Sequence, residues 1–549
     1  MNRKELADLL LPGINKTIED YEKMYPERNV SEGEIVTRYA PSPTGLPHIG
    51  NLYQAVISRK LANQTNGIFY LRIEDTDQKR SIEDGITKII KSLNDFDIKF
   101  DEGVTSETTE VGLYAPYIQS ERKEIYWTFA KYLIENDMAY PCFCNEEDDE
   151  IRKKLQEKYK SRIGYYGRHA KCRNLSIDEI EERIKNGDKY IIRLKSPGNF
   201  EKRFTFNDCI KGKMELPEND LDIIIIKSDG LPTYHFAHLV DDHLMRTTHV
   251  IRGDEWLSSV PIHTQLFRMF NFKVPKYAHI APLLKDDEGI KRKLSKRKDP
   301  EASVTYYHEQ GIPNEAVILY LTTVANSNFE EWLDNNKDKS IDGFKMEFKK
   351  MSTSGALFDL EKLLNISKNY LSTLKASEIY DRVLNWSSEF DLEFKNLLEK
   401  YKDKSIEIFN IEREQAKPRK DYACYSDIKN QVWYMYDELF DNATKNYEFQ
   451  KINDKEEIKN ILNTYINEYY SYLDDNETWF NKMKELADKL GYATNMKEYK
   501  LNPDNYKGNI ADISNVLRVA LTTKATTPDL YQIMKILGCD TIKKRFELL

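Results

Sequence analysis

Two short stretches far apart in the chain carry side chains suited to holding a polyphosphate. Arg38 to Asn51 reads RYAPSPTGLPHIGN, and Lys293 to Arg297 reads KLSKR. The first predicts a strand ending at Ala40, a loop broken by proline and glycine, and a helix opening near His48. Such a turn leaves backbone N–H groups at a helix N-terminus, where they and the helix dipole favour a phosphate. The second is a flexible run of cations, the complement of a triphosphate's charge. A lone histidine before a helix ordinarily caps or packs, and a lone Lys/Arg cluster is ordinarily a solvated loop. Either stretch alone is a weak signal; the pair, in this order, sets phosphate binding by His48, Lys293 and Lys296 against those alternatives.

A third group is built from sulfur. Cys142-Phe-Cys144 is followed by GYYGRHAKC, which offers Tyr166, His169 and Cys172. Three thiolates and one imidazole would complete a closed tetrahedral zinc site. The fourth ligand is open between His169 and Tyr166, and free buried thiols are the competing reading. Cys209, Cys424 and Cys539 stand alone and are expected to be packing residues.

The elements that must position these groups follow an α/β pattern. Residues 35–117 alternate strand and helix: EIVTRYA, the helix from Ile49, then GIFYLRI. LDIIIIKS (Leu221 to Ser228) and THVIRG (Thr248 to Gly253) are apolar, β-branched blocks that predict buried parallel strands. This alternation predicts a doubly wound parallel sheet with ligands at the carboxyl ends of its strands. A charge-rich insertion at 118–221 divides it. After KLSKR apolar residues recur at helical spacing, and 375–549 reads as a mostly helical domain. No internal repeat is visible.

Composition sets limits. A chain of 549 residues implies roughly three to four domains at about 100–200 residues each. No run approaches the ~20 apolar residues of a membrane span. The first 34 residues mix acids and bases among their apolar positions, so they predict one amphipathic helix and a linker rather than a signal peptide. Six cysteines in so long a chain do not make a disulfide scaffold, so a reducing cytoplasm is expected. A net charge of −9 argues against indiscriminate nucleic-acid binding but leaves room for a locally basic face.

Several segments together resemble the glutamyl-tRNA synthetases, of bacterial type, within the class I aminoacyl-tRNA synthetases. They are the PSPTG loop, LRIEDTD (Leu71 to Asp77), SDGLPTYHFAHLVDDHLM (Ser228 to Met245), THVIRGDEWL (Thr248 to Leu257), AHIAPLL (Ala278 to Leu284) and KLSKR. They span about half the chain in family order. Asn51 stands where the superfamily signature ends in histidine, and the extension before the first strand is a departure from the family pattern. The resemblance implies a Rossmann-type catalytic domain in two halves (35–117 and 222–285), preceded by an extension at 1–34. The insertion at 118–221 would bind the acceptor end, 286–374 would hold the KLSKR loop and contact the tRNA stem, and 375–549 would bind the anticodon.

By the same resemblance, Thr44, His48, Gly50, Asn51, Lys293, Ser295, Lys296 and Arg297 would hold ATP, with Gly50 letting adenine or ribose approach the backbone. Arg38, Ser42, Glu74, Tyr234, His238 and Arg252 would hold L-glutamate. In that set Glu74 partners the ammonium, Arg38 and Tyr234 grip the side chain, and Arg252 meets the α-carboxylate. The glutaminyl relatives differ at PSPTG and lack this arginine. ATP with Mg²⁺, tRNA(Glu) and L-glutamate are the implied substrates, zinc a possible structural metal, and a monomer without membrane contact the expected state. Activation by this family habitually requires tRNA. Two rival readings are a related enzyme that glutamylates a tRNA base and a non-catalytic tRNA-binding protein. The first is normally truncated after the catalytic region, and the second would show degraded motifs.

Overall fold

The computed structural model describes residues 1–45, 47–336 and 339–549. Two compact units result, one of Met1–Tyr306 with Val317–Leu360 and one of Tyr307–Ala316 with Glu361–Leu549. The stretch 286–374, expected as one region, is therefore divided between them.

The first unit opens with two helices, not the expected one. Helix α1 (Arg3–Leu10) and helix α2 (Ile18–Met24) each begin with a capping box, Asn2 with Glu5 and Thr17 with Asp20. Pro12 and Gly13, the latter at φ +81, halt the first helix between them. The expected linker is instead docked. Arg28 forks onto Glu102 at 2.8 and 2.9 Å and donates through Nε to the Met245 carbonyl at 2.9 Å.

Strands β1 (Val36–Tyr39), β2 (Ile68–Leu71) and β3 (Glu102–Val104) run parallel, joined through helices α3 (Ile49–Asn63) and α4 (Gly85–Asp95). β4 (Glu110–Val111) adds an antiparallel edge. The insertion follows with α5 (Lys123–Glu135), β5 (Ala139–Cys142), α6 (Glu146–Lys158), α7 (Ile177–Lys185), β6 (Ile191–Leu194), a hairpin of β7 (Arg203–Asp208) and β8 (Gly212–Pro217), and β9 (Ile224–Ile226). β9 corrects the reading of Leu221–Ser228: it pairs antiparallel with β6, in the insertion's own β5-β6-β9 sheet. The isoleucines are covered by α5 and α8 (Tyr234–Leu244). Two-sided burial is what the run encodes, and it is silent on strand direction.

The second catalytic half is α8, β10 (His249–Gly253), α9 (Val260–Met269) and β11 (Lys276–Ile280), with β10 and β11 parallel as expected for THVIRG. Thr248 joins β10 to β1: its N–H donates to Val36 O and its Oγ1 accepts the Val36 N–H, both at 2.9 Å. The spatial order is thus β3-β2-β1-β10-β11, and it reverses between β1 and β10. In open α/β sheets ligands bind at that switch point, beyond the carboxyl ends of the strands. β12 (Leu283–Asp287) and β13 (Ile290–Lys293) then form an antiparallel hairpin, with β14 (Ala356–Leu357) parallel to β12.

The second unit is helical around one apolar core that includes Ile379, Phe394, Met483, Leu486, Ile513, Leu517 and Ile533. Its short segment 307–316 is part of the fold. The Gly311 carbonyl accepts the Tyr425 N–H at 2.9 Å, and Glu315 pairs with Arg382 at 2.8 Å. Among the described residues no helix is long and apolar enough to cross a membrane.

Candidate active site

The carboxyl ends of β1, β2 and β10 bring Arg38, Glu74 and Arg252 together with one face of α8. Tyr234, His238 and Asp242 recur on that helix at intervals of four, so their side chains stack along one side. Asp242 is the hub. It accepts from Arg38 Nε at 3.1 Å and from Arg72 Nη1 at 2.8 Å, and His238 Nδ1 lies 2.6 Å away, outside the ring's donor direction. Burial alone would raise Asp242's carboxyl, but the two guanidinium groups hold it well below the ordinary range. Burial pushes His238 down to about 3, so the ring is neutral.

Arg38 and Glu74 are not each other's partner. Glu74 Oε1 is held by Arg72 Nη2 at 2.9 Å, and burial raises its carboxyl despite that cation. Among the described residues only Nε of Arg38 and Oε1 of Glu74 make side-chain hydrogen bonds, which leaves the Arg38 Nη groups and Glu74 Oε2 for a ligand. Exposed Ser42 sits beside them, because the Pro41 carbonyl accepts the Glu74 N–H at 3.0 Å.

Arg252 has a different surround. It donates to His279 Nε2 at 3.1 Å, His263 Nδ1 at 3.0 Å, Tyr234 Oη at 3.3 Å and the Trp256 carbonyl at 3.2 Å. Every acceptor is neutral, and among the described residues this guanidinium makes no ion pair although it is 3% exposed. A buried charge is ordinarily paired, so the site has an opening for one carboxylate.

The two stretches expected to hold a polyphosphate come together in space. His48, Gly50, Asn51, Lys293, Ser295 and Lys296 line one cavity of about 490 Å³ with Gln54, Glu255 and the segment Ile280–Leu283. Exposed Thr44 and Arg297 are not among its lining residues. His48 does cap the helix: its Nδ1 accepts the Gly50 N–H at 2.9 Å, and Asn51 Oδ1 accepts the His48 N–H at 3.3 Å. Burial lowers its pKa, and nearby Lys296 lowers it further. Capping thus orients the ring within the cavity. A Cβ on Gly50 would meet only that ring within 4 Å. The KLSKR loop is anchored rather than free: Asp299 accepts from Arg292 at 2.6 and 2.8 Å and from the Ser295 N–H at 2.9 Å.

Arg72 and Asp242 are not among the residues expected from the sequence, although both lie in stretches that carry the family resemblance. Nor is Asp241, which accepts from Arg122, Gln119 and Tyr126 of the insertion at 2.7 to 2.8 Å.

The sulfur group forms with a different fourth member. Cys142, Cys144 and Cys172 bring their Sγ atoms within 4.8 Å of one another, and Tyr165 Oη lies 3.3 Å from both Cys142 and Cys144. Tyr166 instead donates to the Arg162 carbonyl at 2.8 Å, and His169 stands edge-on to Tyr166, outside the thiol group. Three thiols and a phenol in contact cannot all ionise, and donation from its neighbours favours one thiolate, at Cys142. In the second unit a polar cavity of about 410 Å³ is lined by Glu412, Arg419, Asn476, Trp479, Phe480 and Arg518, among others.

The parallel sheet, its switch-point cleft and the cation loop define a class I tRNA synthetase. The family described as "tRNA synthetases class I (E and Q), catalytic domain" matches residues 34–365, and an "Anticodon binding domain" matches 505–548. The glutamate--tRNA ligase of Clostridium perfringens strain SM101 is 50% identical over 548 residues, covering 100% of this chain and 99% of that one. That of Acetivibrio thermocellus is 47% identical over 550 residues, with all of both chains covered. The crystal structure of a glutamate tRNA ligase from Elizabethkingia meningosepticum in complex with its amino acid superposes with a TM-score of 0.75 at 26% identity, over 94% of this chain and 99% of that one. The chain belongs to the glutamate--tRNA ligase family.

Proposed function

We propose that this chain activates L-glutamate with ATP and transfers it to the 3′ end of tRNA(Glu), releasing pyrophosphate and then AMP. The observation that carries this reading is Arg252, a buried cation held only by neutral groups. It directly precedes Gly253, which lines the nucleotide cavity. Activation is an in-line attack of the substrate's α-carboxylate on the α-phosphorus of ATP. A carboxylate is already a nucleophile, so positioning and charge stabilisation do the work and no general base is needed. In this reading Arg252 holds the α-carboxylate, Arg38 and Tyr234 take the side-chain carboxylate, and Glu74 takes the ammonium. His48 faces the phosphates, Lys293 and Lys296 follow the charge onto the departing pyrophosphate, and Mg²⁺ accompanies the nucleotide. The polar cavity of the second unit, with a half-exposed Phe480 for stacking and two arginines, receives an unpaired base of the anticodon loop. The enzyme acts as a monomer in the cytoplasm.

ATP–pyrophosphate exchange with glutamate or glutamine, with and without tRNA, tests this reading. Exchange is expected with glutamate only, and only with tRNA present. Lys296→Ala should lower it about 100- to 1,000-fold with little change in melting temperature. Near-normal exchange in that variant would remove Lys296 from the mechanism.

The thiol group fits zinc. With Zn–S bonds of about 2.3 Å, sulfurs around a tetrahedral ion stand about 3.8 Å apart, and Cys144 and Cys172 are at 3.7 Å. Cys142, Cys144, Cys172 and the Tyr165 hydroxyl would hold the ion, which would tie the insertion's strand β5 to the loop before α7. Metal analysis after gentle purification should find about one zinc per chain. A value under ~0.2 would leave these residues as free thiols.

A further inference from the structure

The acceptors around Arg252 are themselves held in place, and one of them is governed from the insertion. Arg252 on β10 and His279 on β11 are direct neighbours in the parallel register, which puts both side chains on one face of the sheet. Because Arg252 Nε can only donate, His279 Nε2 must be unprotonated and its proton must lie on Nδ1. That nitrogen is 2.6 Å from Asp208 Oδ2. Asp208 closes β7 at the tip of the inserted hairpin, and the next residue, Cys209, donates its N–H to the Tyr277 carbonyl of β11 at 2.8 Å. Its other oxygen accepts the N–H groups of Ile210 and Lys211, both at 2.9 Å. Burial works against this carboxylate, yet the His279 bond and those N–H groups hold its pKa below the ordinary value, so it serves only as acceptor. His279 is itself kept neutral by burial.

We propose that Asp208 is a positioning residue for substrate binding: it fixes the Nδ1–H form of His279, and His279 in turn fixes the orientation of Arg252 toward the substrate's carboxylate. The inference rests on the proposed role of Arg252. It also gives the insertion a direct say in amino-acid recognition, through the hairpin of β7 and β8. The alternative is that Asp208 only closes its own hairpin turn, and the two separate by experiment.

In Asp208→Asn the carboxamide can keep its oxygen on the turn N–H groups, which points its NH₂ at His279 Nδ1. The imidazole then has to carry its proton on Nε2, facing the Arg252 donor. The KM for glutamate should rise about 10- to 100-fold, as for other small misplacements of a positioning group, with the KM for ATP within about twofold. His279→Gln offers Arg252 an amide oxygen that does not depend on Asp208, so adding Asp208→Asn to it should cost less than about twofold more. An unchanged glutamate KM in Asp208→Asn, an equal penalty in both backgrounds, or a parallel rise in the KM for ATP would each overturn the proposal. A second readout is independent of catalysis. The chain has nine histidines, and ¹⁵N imidazole spectra, with His279 assigned by its loss in His279→Gln, report the tautomer. An Nδ1–H form that switches to Nε2–H in Asp208→Asn supports the proposal. An Nε2–H form in the unaltered protein overturns it. Absence of glutamate-dependent exchange in the unaltered protein would instead refute the functional reading, and the spectra would still decide the positioning role.

Discussion

Arg252→Cys should lose glutamate activation by at least about 1,000-fold in kcat/KM, equivalent to roughly 4 kcal/mol of transition-state stabilisation. The substitution removes a buried cation that no carboxylate among the described residues neutralises. It also leaves His279 Nε2 and His263 Nδ1 without their donor. A charge-assisted contact between guanidinium and carboxylate is about twice as strong as a neutral one, and lysine cannot reproduce its forked geometry. ATP–pyrophosphate exchange measured against glutamate concentration, at saturating ATP and tRNA, reads the loss directly. The KM for ATP should stay within about twofold, since the cavity proposed for the nucleotide is lined by other side chains. Glutamate kinetics equal to those of the unaltered protein would refute the role given to Arg252.

The second large effect is on stability. Asp242→Ala should destabilise the first unit by about 3–5 kcal/mol, the usual cost of leaving a buried partner's charge uncompensated. Asp242 is the carboxylate shared by Arg38 and Arg72, and all three side chains are essentially out of solvent. Thermal unfolding followed by calorimetry should show the transition of that unit moving down while the other unit's is unchanged. The same cluster predicts a response to acid. His238 is neutral in the fold with a pKa pushed down to about 3, so the unfolded chain binds the extra proton first. Stability is therefore full above about pH 6.5 and declines as the pH falls toward 3. Asp242, held below its ordinary value by its cations, adds a further loss only below about pH 4. The urea midpoint should fall monotonically from pH 7 to pH 4, and a rise on acidification would contradict this assignment.

What could be read in the sequence was local. His48, Gly50 and Asn51 are nearly consecutive, and a loop–helix junction fixes them relative to one another whatever the rest of the chain does. Lys293 and Lys296 were visible for the same reason, as was the α/β alternation that brings the two stretches to one end of a sheet. Choosing among neighbouring acids was harder. HLVDDHLM presents two adjacent carboxylates, and only the phase of α8, set by Tyr234 at its first turn, turns Asp242 toward Arg38 and Asp241 toward Arg122. Tyr166 is the tyrosine the sequence offers beside the thiols, whereas the hydroxyl that lies 3.3 Å from Cys142 and Cys144 is that of its neighbour Tyr165, a one-residue shift that composition does not encode. Contacts that depend on strand register left no trace in the sequence. Nothing in Asp208, Arg252 and His279 as letters says that β10 and β11 pair with Arg252 opposite His279, nor that a hairpin tip from the insertion reaches that spot. For the direction of β9, apolar content was the only signal, and it is the same for either orientation.

The chain passes between its two compact units three times, after Tyr306, Ala316 and Leu360. One protease nick therefore cannot release the helical unit as an intact piece. A clone beginning at Glu361 would omit Gly311 and Glu315, and with them the backbone partner of Tyr425 and the carboxylate of Arg382. Anyone wishing to study RNA recognition by that unit in isolation should splice 307–316 back onto it through a designed linker. The simple truncation would be expected to give a looser domain whose weak binding says little about the native surface.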